Sequence, residues 1–262
     1  MTVKNKNLKL NPGSSFPAPP SAWDGQRETL DDLSAAENYN HWIYKILQPY
    51  IGKRILEIGC GTGNITGFLT RHGRVLATDI HSGYLETARE KLAGTKGITF
   101  QKINLDGSIR RLTAFRPDSI ICVNVLEHIS NDRQVLEECY KLLPPGGKLM
   151  IFVPALRFLF GSMDKSYGHY RRYGRNELIQ KFESAGYKIE YCRYLNLLGI
   201  PGWWLNGIML KRRIIPKSQM LLYDRIVKYS QHIEKYLPKP IGLSLFCVGV
   251  RPWKTDTKRN LV

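Results

Sequence analysis

The feature that most constrains the fold is a regular exchange of short apolar segments and amphipathic segments along the middle of the chain. The segments around Ile55, Ile120 and Leu149 lack the polar residue at every second position that a half-buried strand would show, which is typical of strands buried on both faces. Predicted strands cover 54–58, 74–79, 98–103, 119–124 and 148–153, and predicted helices cover 63–72, 82–92 and 132–143. A parallel sheet with helices on both sides buries such strands, so an α/β fold is expected.

The flanking regions complete the predicted architecture. Apolar residues at three- and four-residue spacing predict a helix within 33–50, and two more strands are predicted at 187–194 and 243–250. We therefore expect a doubly wound, mostly parallel seven-stranded sheet with an N-terminal helix and a helical C-terminal insertion. The expected divisions are a disordered, proline-containing tail at 1–30, a main domain at 31–195, a helical lid or interfacial insertion at 196–240, and a last strand with a tail at 241–262.

The sharpest motif is a glycine-rich turn that follows the first predicted strand. Gly59, Gly61 and Gly63 are spaced G-x-G-x-G, and Glu57 precedes them by two residues. Glycines permit a tight turn and let a ligand approach the backbone, while the following helix offers free N–H groups. The dinucleotide pattern G-x-G-x-x-G fails here, because its third glycine would stand where the chain has Asn64. Asp79 ends the next strand, where a carboxylate can accept both ribose hydroxyls.

These motifs, in this order, resemble the class I, Rossmann-like methyltransferases that bind S-adenosylmethionine. The segment 57–63 looks like the first motif of that family, Asp79 like its acidic second motif, and 122–128 like the segment after its fourth strand. The resemblance covers about residues 35–155. It implies S-adenosyl-L-methionine as the cofactor, held by Glu57, Gly59, Cys60, Gly61, Gly63, Asp79, Ile80, Asn104, Leu105, Asn124 and Leu126.

Candidate catalytic residues follow the fourth and fifth strands, where ligands of open α/β sheets bind. Methyl transfer needs an aligned acceptor and, for a hydroxyl or an ammonium group, a base that removes a proton. His128 follows the fourth strand, and Asp164 and His169 follow the fifth. The alternative that the sequence leaves open is that His128 and its neighbour Glu127 only shape the cofactor pocket or cap the following helix.

The run that contains His169 continues as Tyr170, Arg171, Arg172 and Tyr173, and it resembles a Gly-His-x-Arg-Arg-Tyr element of a bacterial subset of these methyltransferases. Paired guanidinium N–H groups suit a phosphate or carboxylate, so these four residues are candidates for substrate binding. The alternative is a surface loop whose arginines pair with helix acids such as Glu177.

Positive charge and apolar residues are both concentrated towards the C-terminal end. The chain has 39 basic and 22 acidic residues, a net charge of +17, and residues 201–262 hold 12 of the basic residues and 3 of the acidic ones. Trp203 and Trp204 lie in an apolar stretch that the basic cluster 211–213 follows. This stretch is expected to be a lid over the acceptor pocket, with both tryptophans contacting substrate, or a contact with an anionic membrane.

The expected activity is therefore methyl transfer to oxygen or nitrogen of a small or lipid-linked acceptor, such as a sugar or polyprenyl compound. An RNA or protein methyltransferase that uses the basic surface, and a binding protein without turnover, remain as alternatives. The five cysteines show no zinc spacing, so no metal is expected. No secretory signal or membrane span is apparent, so a cytoplasmic location, peripheral at the inner face of the membrane in the lipid-linked case, is expected.

Overall fold

The computed structural model describes residues 36–105, 109–234 and 240–253. The predicted tail at 1–30 and the end of the C-terminal tail lie outside these ranges. Seven strands form one sheet in the order β3-β2-β1-β4-β5-β7-β6, which confirms the predicted fold class. β1 to β5 pair with one another in parallel, whereas β7 runs antiparallel to both β5 and β6.

The elements follow the predicted alternation closely. The strands are β1 (Arg54–Ile58), β2 (Arg74–Asp79), β3 (Ile98–Lys102), β4 (Ser119–Val123), β5 (Lys148–Pro154), β6 (Lys188–Leu195) and β7 (Ser244–Val250). The helices are α1 (Glu37–Leu47), α2 (Thr66–Leu69), α3 (Ser82–Lys91), α4 (Asp132–Leu142), α5 (Ser162–Ser166), α6 (Arg175–Ser184), α7 (Gly199–Trp203), which continues as a π-helix (Trp204–Met209), and α8 (Lys217–Glu234). Short 3₁₀ turns lie at Gln48–Tyr50, Ile109–Phe115, Leu126–His128 and Arg157–Leu159.

The central strands are buried on both faces, as their continuous apolar sequence predicts. In β1, Ile55 packs into one hydrophobic cluster and Leu56 into the other. The same division separates Ile120 from Ile121 in β4, because successive side chains of a strand point to opposite faces. Helices cover both clusters, so the sheet lies in the middle of a three-layer structure.

The prediction of one helix over 63–72 is wrong in its extent, since the structure forms only α2 there. Gly61 and Gly63 have φ values of +52° and +81°, which a right-handed helix does not allow. The chain therefore makes an extended turn before α2 begins, and this turn occupies the edge of the sheet.

The insertion between β6 and β7 is helical and packs on the N-terminal helix. α8 lies against α1, and the buried carboxylate of Asp224 accepts hydrogen bonds from the Tyr39 backbone N–H at 2.9 Å and from the Asn38 amide at 2.7 Å. In the described ranges, no helix combines the length and the apolar character needed to cross a bilayer.

Candidate functional site

The candidate site lies where the strand order reverses. β1 pairs with β2 on one side and with β4 on the other, and all three are parallel. The connections after β1 and β4 therefore leave the same edge of the sheet in opposite directions. A crevice outside the carboxyl ends of the strands forms at such a point, and ligands of open α/β sheets bind there.

The glycine turn after β1 is built from left-handed backbone. Gly59, Gly61 and Gly63 have φ values of +73°, +52° and +81°. At Gly59 a Cβ atom would come within 2.2 Å of the Val125 side chain that follows β4, so the turn and the β4 segment leave no room for a side chain. The N–H groups of Gly59 and Cys60 both donate to the Thr78 carbonyl, at 2.8 and 2.9 Å, which ties the turn to β2.

Asp79 at the end of β2 faces this turn. Its Oδ2 accepts from the Gly61 N–H and its Oδ1 accepts from the His81 N–H, both at 2.9 Å. Each carboxylate oxygen can accept more than one hydrogen bond, so the ribose hydroxyls predicted for this residue still have acceptors. Ile80 follows with 44% of its surface exposed, which suits an apolar ring placed beside it.

Glu57 supports the turn from within. Its carboxyl is buried and accepts from the Thr66 hydroxyl of α2 at 2.6 Å. Burial raises the pKa of Glu57 to about 7, helped by the charge of Asp79, although the Thr66 hydrogen bond opposes the rise. In this structure Glu57 joins β1 to α2, and its predicted contact with the cofactor stays a prediction.

The other predicted cofactor residues differ in accessibility. Asn104 is exposed after β3 and Leu105 is half-buried beside it. Asn124 after β4 has a φ of +51° and donates its N–H to the Phe152 carbonyl at 2.8 Å. Cys60 and Leu126 are buried, so any contact from Cys60 or Leu126 would come mainly from the backbone. A nucleoside with a charged tail fits this edge of the sheet, which offers the open backbone of the glycine turn, the Asp79 carboxylate and the exposed Ile80 side chain.

Asp164 is the centre of a second cluster at the same edge. Its Oδ1 accepts from His169 Nδ1 at 2.9 Å and from Arg172 Nε at 2.8 Å, and its Oδ2 accepts from the Gly161 N–H at 3.0 Å. The side chain is fully buried. Burial raises the pKa of Asp164, but the His169 hydrogen bond and the Arg172 charge outweigh it and hold that pKa below its ordinary value.

This cluster fixes the orientation of His169. A carboxylate only accepts hydrogen bonds, so His169 Nδ1 must donate and Nε2 of the neutral ring carries the lone pair. Nε2 points towards Glu127, with 4.0 Å between it and Oε1, and the His128 ring lies 4.7 Å from the His169 ring. Burial, followed by the charge of His169, lowers the pKa of His128 to about 3. His128 is therefore a neutral ring at pH 7, and its expected catalytic role stays a prediction.

Two buried polar groups in the cluster have no hydrogen-bond partner. They are both carboxyl oxygens of Glu127 and the Nη2 atom of Arg172. Burial raises the pKa of Glu127 to about 7, although His169 opposes the rise. The ligand atoms of Glu127, His128 and His169 lie within 4.8 Å of one another, so these side chains could jointly hold a metal ion. The expectation of no metal stays a prediction.

The predicted substrate-binding residues separate into two groups. Tyr170 is 60% exposed and, with Arg157, Arg171 and Lys181, lines an open depression of about 430 Å³. Arg171 pairs with Asp132 of α4 at 2.9 Å and donates to the Ser130 carbonyl at 2.7 Å, much as the surface-loop alternative expects. Tyr173 is fully buried, and its hydroxyl lies 2.9 Å from Asp132 and 3.2 Å from the Leu126 carbonyl. Its surroundings are those of a core residue.

Arg172 is buried together with its partners rather than open to solvent. Its Nη1 donates to the Ala155 carbonyl at 2.9 Å, and its guanidinium lies 4.4 Å from the ring centroid of Trp203. Trp204, by contrast, has 43% of its surface exposed. The two predicted tryptophans thus differ, since Trp203 closes the Asp164 cluster and Trp204 faces solvent.

Sequence reasoning named His169, Asp164 and Arg172 but did not name Glu127 as a site residue. The signal was present as the Glu-His pair after β4, yet only the structure shows that this carboxyl is buried without a partner. Asp132 was missed as well, because its contacts with Arg171 and Lys181 join segments far apart in the sequence.

Comparison with known proteins gives a consistent family. The model of the methyltransferase domain family matches residues 56–149. A relative from Coxiella burnetii (strain RSA 331 / Henzerling II), named ubiquinone biosynthesis O-methyltransferase, is 27% identical over 164 residues, which cover 57% of this chain and 67% of that protein.

Two solved structures share the fold over most of this chain. The methyltransferase in complex with the Haloferax volcanii Trm112 methyltransferase activator has a TM-score of 0.59 and 17% identity, and the match covers 89% of this chain and 96% of that one. Haemonchus contortus phosphoethanolamine N-methyltransferase 2, solved with S-adenosyl-L-methionine, has a TM-score of 0.54 and 17% identity, covering 82% and 53%.

Proposed function

Because this chain is a class I S-adenosylmethionine-dependent methyltransferase, we propose that it methylates oxygen on a small, lipid-linked acceptor and that His169 removes the hydroxyl proton. The observation that carries this proposal is the buried Asp164–His169 hydrogen bond of 2.9 Å at the carboxyl edge of the sheet. The name of the Coxiella burnetii relative, an O-methyltransferase of ubiquinone biosynthesis, supports oxygen as the accepting atom.

The chemistry divides between the cofactor and the chain. S-adenosylmethionine supplies a methyl group on a sulfonium, so the departing sulfur leaves neutral and needs no acid. The acceptor oxygen forms the new bond to carbon while His169 Nε2 takes its proton. Asp164 stabilises the resulting imidazolium through Nδ1 and keeps Nε2 directed at the acceptor. We propose that Asp79 and the turn from Gly59 to Gly63 hold the cofactor.

The acceptor class rests on the surroundings of this cluster. α5, which carries Asp164, is hydrogen-bonded to the apolar insertion between β6 and β7: Ser162 Oγ donates to the Gly207 carbonyl at 3.0 Å. We propose on this basis that the acceptor has a polyprenyl or other lipid portion, and that the chain works at the cytoplasmic face of a membrane. The basic surface is then expected to meet lipid headgroups rather than RNA.

The test is to incubate the purified chain with methyl-labelled cofactor and separate lipid, RNA and small-molecule fractions of a cell extract. Label is expected in an alkali-stable lipid product. His169→Gln is expected to slow labelling by at least about 100-fold, the usual contribution of a general base, without weakening cofactor binding. His72→Gln is a matched control, because His72 precedes β2 and lies at the opposite edge of the sheet. Label in RNA, or cofactor binding without label in any fraction, would contradict the proposal.

A further inference from the structure

Exposed apolar side chains are concentrated in one stretch of the described residues. Fourteen large hydrophobic residues are exposed in the described ranges, and nine of them lie between Leu198 and Tyr229. We call residues 198–229 the exposed segment; its nine are Leu198, Trp204, Leu205, Met209, Leu210, Leu221, Leu222, Ile226 and Tyr229. Such a concentration marks a surface that meets a partner or a lipid phase.

The charges of the exposed segment have one sign. Its exposed cations are Lys211, Arg213, Lys217, Arg225 and Lys228. Its one acidic residue, Asp224, is buried and binds Asn38 and the backbone of Tyr39. The segment therefore presents cations among apolar side chains with no exposed carboxylate, which is complementary to an anionic surface.

Within α8 the apolar residues form a stripe that faces outward. Leu222, Ile226 and Tyr229 are spaced by four and three residues and are all exposed. Met220, Asp224 and Val227 show the same spacing on the other side and are buried. The helix thus has one face packed in the molecule and a second apolar face without a described partner. An amphipathic helix that lies in a membrane interface has the same composition.

The exposed segment is hydrogen-bonded to α5, the helix that carries Asp164 of the proposed catalytic pair Asp164–His169. The Ser162 hydroxyl has one proton to donate and lies within hydrogen-bond distance of both the Gly207 and the Arg212 carbonyls. The Ser166 hydroxyl lies within hydrogen-bond distance of the Arg213 carbonyl. Trp203 lies over the Arg172 guanidinium, which binds Asp164. A surface bound by this segment would consequently lie next to the edge of the sheet where the acceptor must enter.

We propose that the exposed segment is a docking surface for an anionic lipid bilayer, with its aliphatic side chains in the interface and its lysines and arginines at the headgroups. This proposal rests on the proposed function only for its purpose, the delivery of a lipid-linked acceptor. Lipid fits better than a nucleic acid, because phosphate contacts need the cations but not seven exposed leucine, isoleucine and methionine side chains.

Co-sedimentation tests the docking surface. The full chain is mixed with vesicles of phosphatidylcholine, with or without phosphatidylglycerol, at low and high salt. Binding is expected with phosphatidylglycerol only and is expected to weaken at high salt. Lys217→Gln/Arg225→Gln is expected to weaken binding roughly 30-fold, since each headgroup contact contributes about 1 kcal/mol. Leu222→Ser/Ile226→Ser is expected to weaken it on the order of 100-fold, because two interfacial aliphatic groups are lost.

Two matched variants and one independent measurement complete the experiment. Lys96→Gln/Lys188→Gln removes two exposed cations elsewhere, and Phe158→Ser removes an exposed apolar residue outside the segment; both are expected to bind as the parent does. Calorimetry with S-adenosylmethionine checks that every variant still binds the cofactor, so a failure of docking is distinguishable from a failure of the proposed function. Equal binding by all variants, no binding to anionic vesicles, or a dimer that Leu222→Ser/Ile226→Ser dissociates would overturn the proposal.

Discussion

Replacement of Asp164 by Asn is the sharpest test of how the second cluster is held together. Asp164 and Arg172 have fully buried side chains, and their ion pair measures 2.8 Å. Asn keeps the shape of the side chain but removes its charge, so the Arg172 guanidinium stays buried without a counterion. Removal of one partner of such a pair costs about 3–5 kcal/mol, most of it from the charge that remains.

The assay is urea unfolding followed by circular dichroism at pH 7. The folded-state pKa of Asp164 lies below its ordinary 3.8, so its stabilisation is fully present at neutral pH and is lost as the pH falls through that folded value. With a urea slope of about 2 kcal/mol/M, the unfolding midpoint is expected to fall by roughly 2 M.

A matched control and a double variant separate the effect of one unpaired buried charge from the effect of losing an ion pair in general. Glu137→Gln removes an exposed i,i+4 partner of Arg133, and its effect is expected to be about 0.3–0.5 kcal/mol. Asp164→Leu/Arg172→Met removes both buried charges and is expected to be less destabilising than Asp164→Asn. A midpoint for Asp164→Asn within about 0.5 M of the parent would show that the Arg172 charge reaches water, and the reasoning would be refuted.

Three further predictions concern the rest of the site. Gly59→Ala forces a Cβ within 2.2 Å of Val125 at a φ of +73°. Calorimetry is therefore expected to show at least about tenfold weaker cofactor binding by this variant. Gly83→Ala is the control and is expected to bind the cofactor normally, because the space around its Cβ is open. Tyr173→Phe loses the buried hydroxyl bonded to Asp132 and is expected to lower the free energy of unfolding by about 1.5 kcal/mol, while exposed Tyr170→Phe leaves it unchanged. The raised pKa of Glu127 means that the folded chain binds the Glu127 proton more tightly than the unfolded chain, so the contribution of Glu127 to stability falls as the pH rises from about 4.5 to about 7. Glu127→Gln is expected to flatten the pH dependence of the unfolding free energy over that window. An unchanged pH dependence would contradict this prediction.

The central sheet could be predicted from the sequence because a strand that is buried on both faces is a continuous run of apolar residues. β1 and β2 begin and end at the predicted residues, since each is a short apolar run bounded by a polar residue and a turn. The glycine turn was predicted from spacing, but the helix after it was predicted over 63–72, whereas the structure forms a helix only at Thr66–Leu69. Positive φ at Gly61 and Gly63 depends on the contacts of the turn with β2 and β4, which local propensity does not contain.

The Asp164 cluster, for which we propose the catalytic role, was predicted only in part. His169 and Asp164 were named because they follow β5, where such sheets place their ligands. The burial of Arg172 could not be foreseen, because arginine is almost never fully buried unless it is paired. Its environment includes Trp203, which is distant in the sequence and which α7 places beside the Arg172 guanidinium. The exposed apolar stripe of α8 is similarly invisible in sequence, since helical spacing does not tell which side faces the core.

The position of β7 has a consequence for how the chain reaches its native state. β7 is the last strand among the described residues, yet it lies between β5 and β6. Until residues 244–250 have left the ribosome, the backbone N–H and C=O groups along β5 and β6 that β7 will bind have no strand to pair with. Newly made chains would hold two open edges during that interval, and open edges are where neighbouring chains associate. Chaperone protection is expected to matter most at that late stage of synthesis.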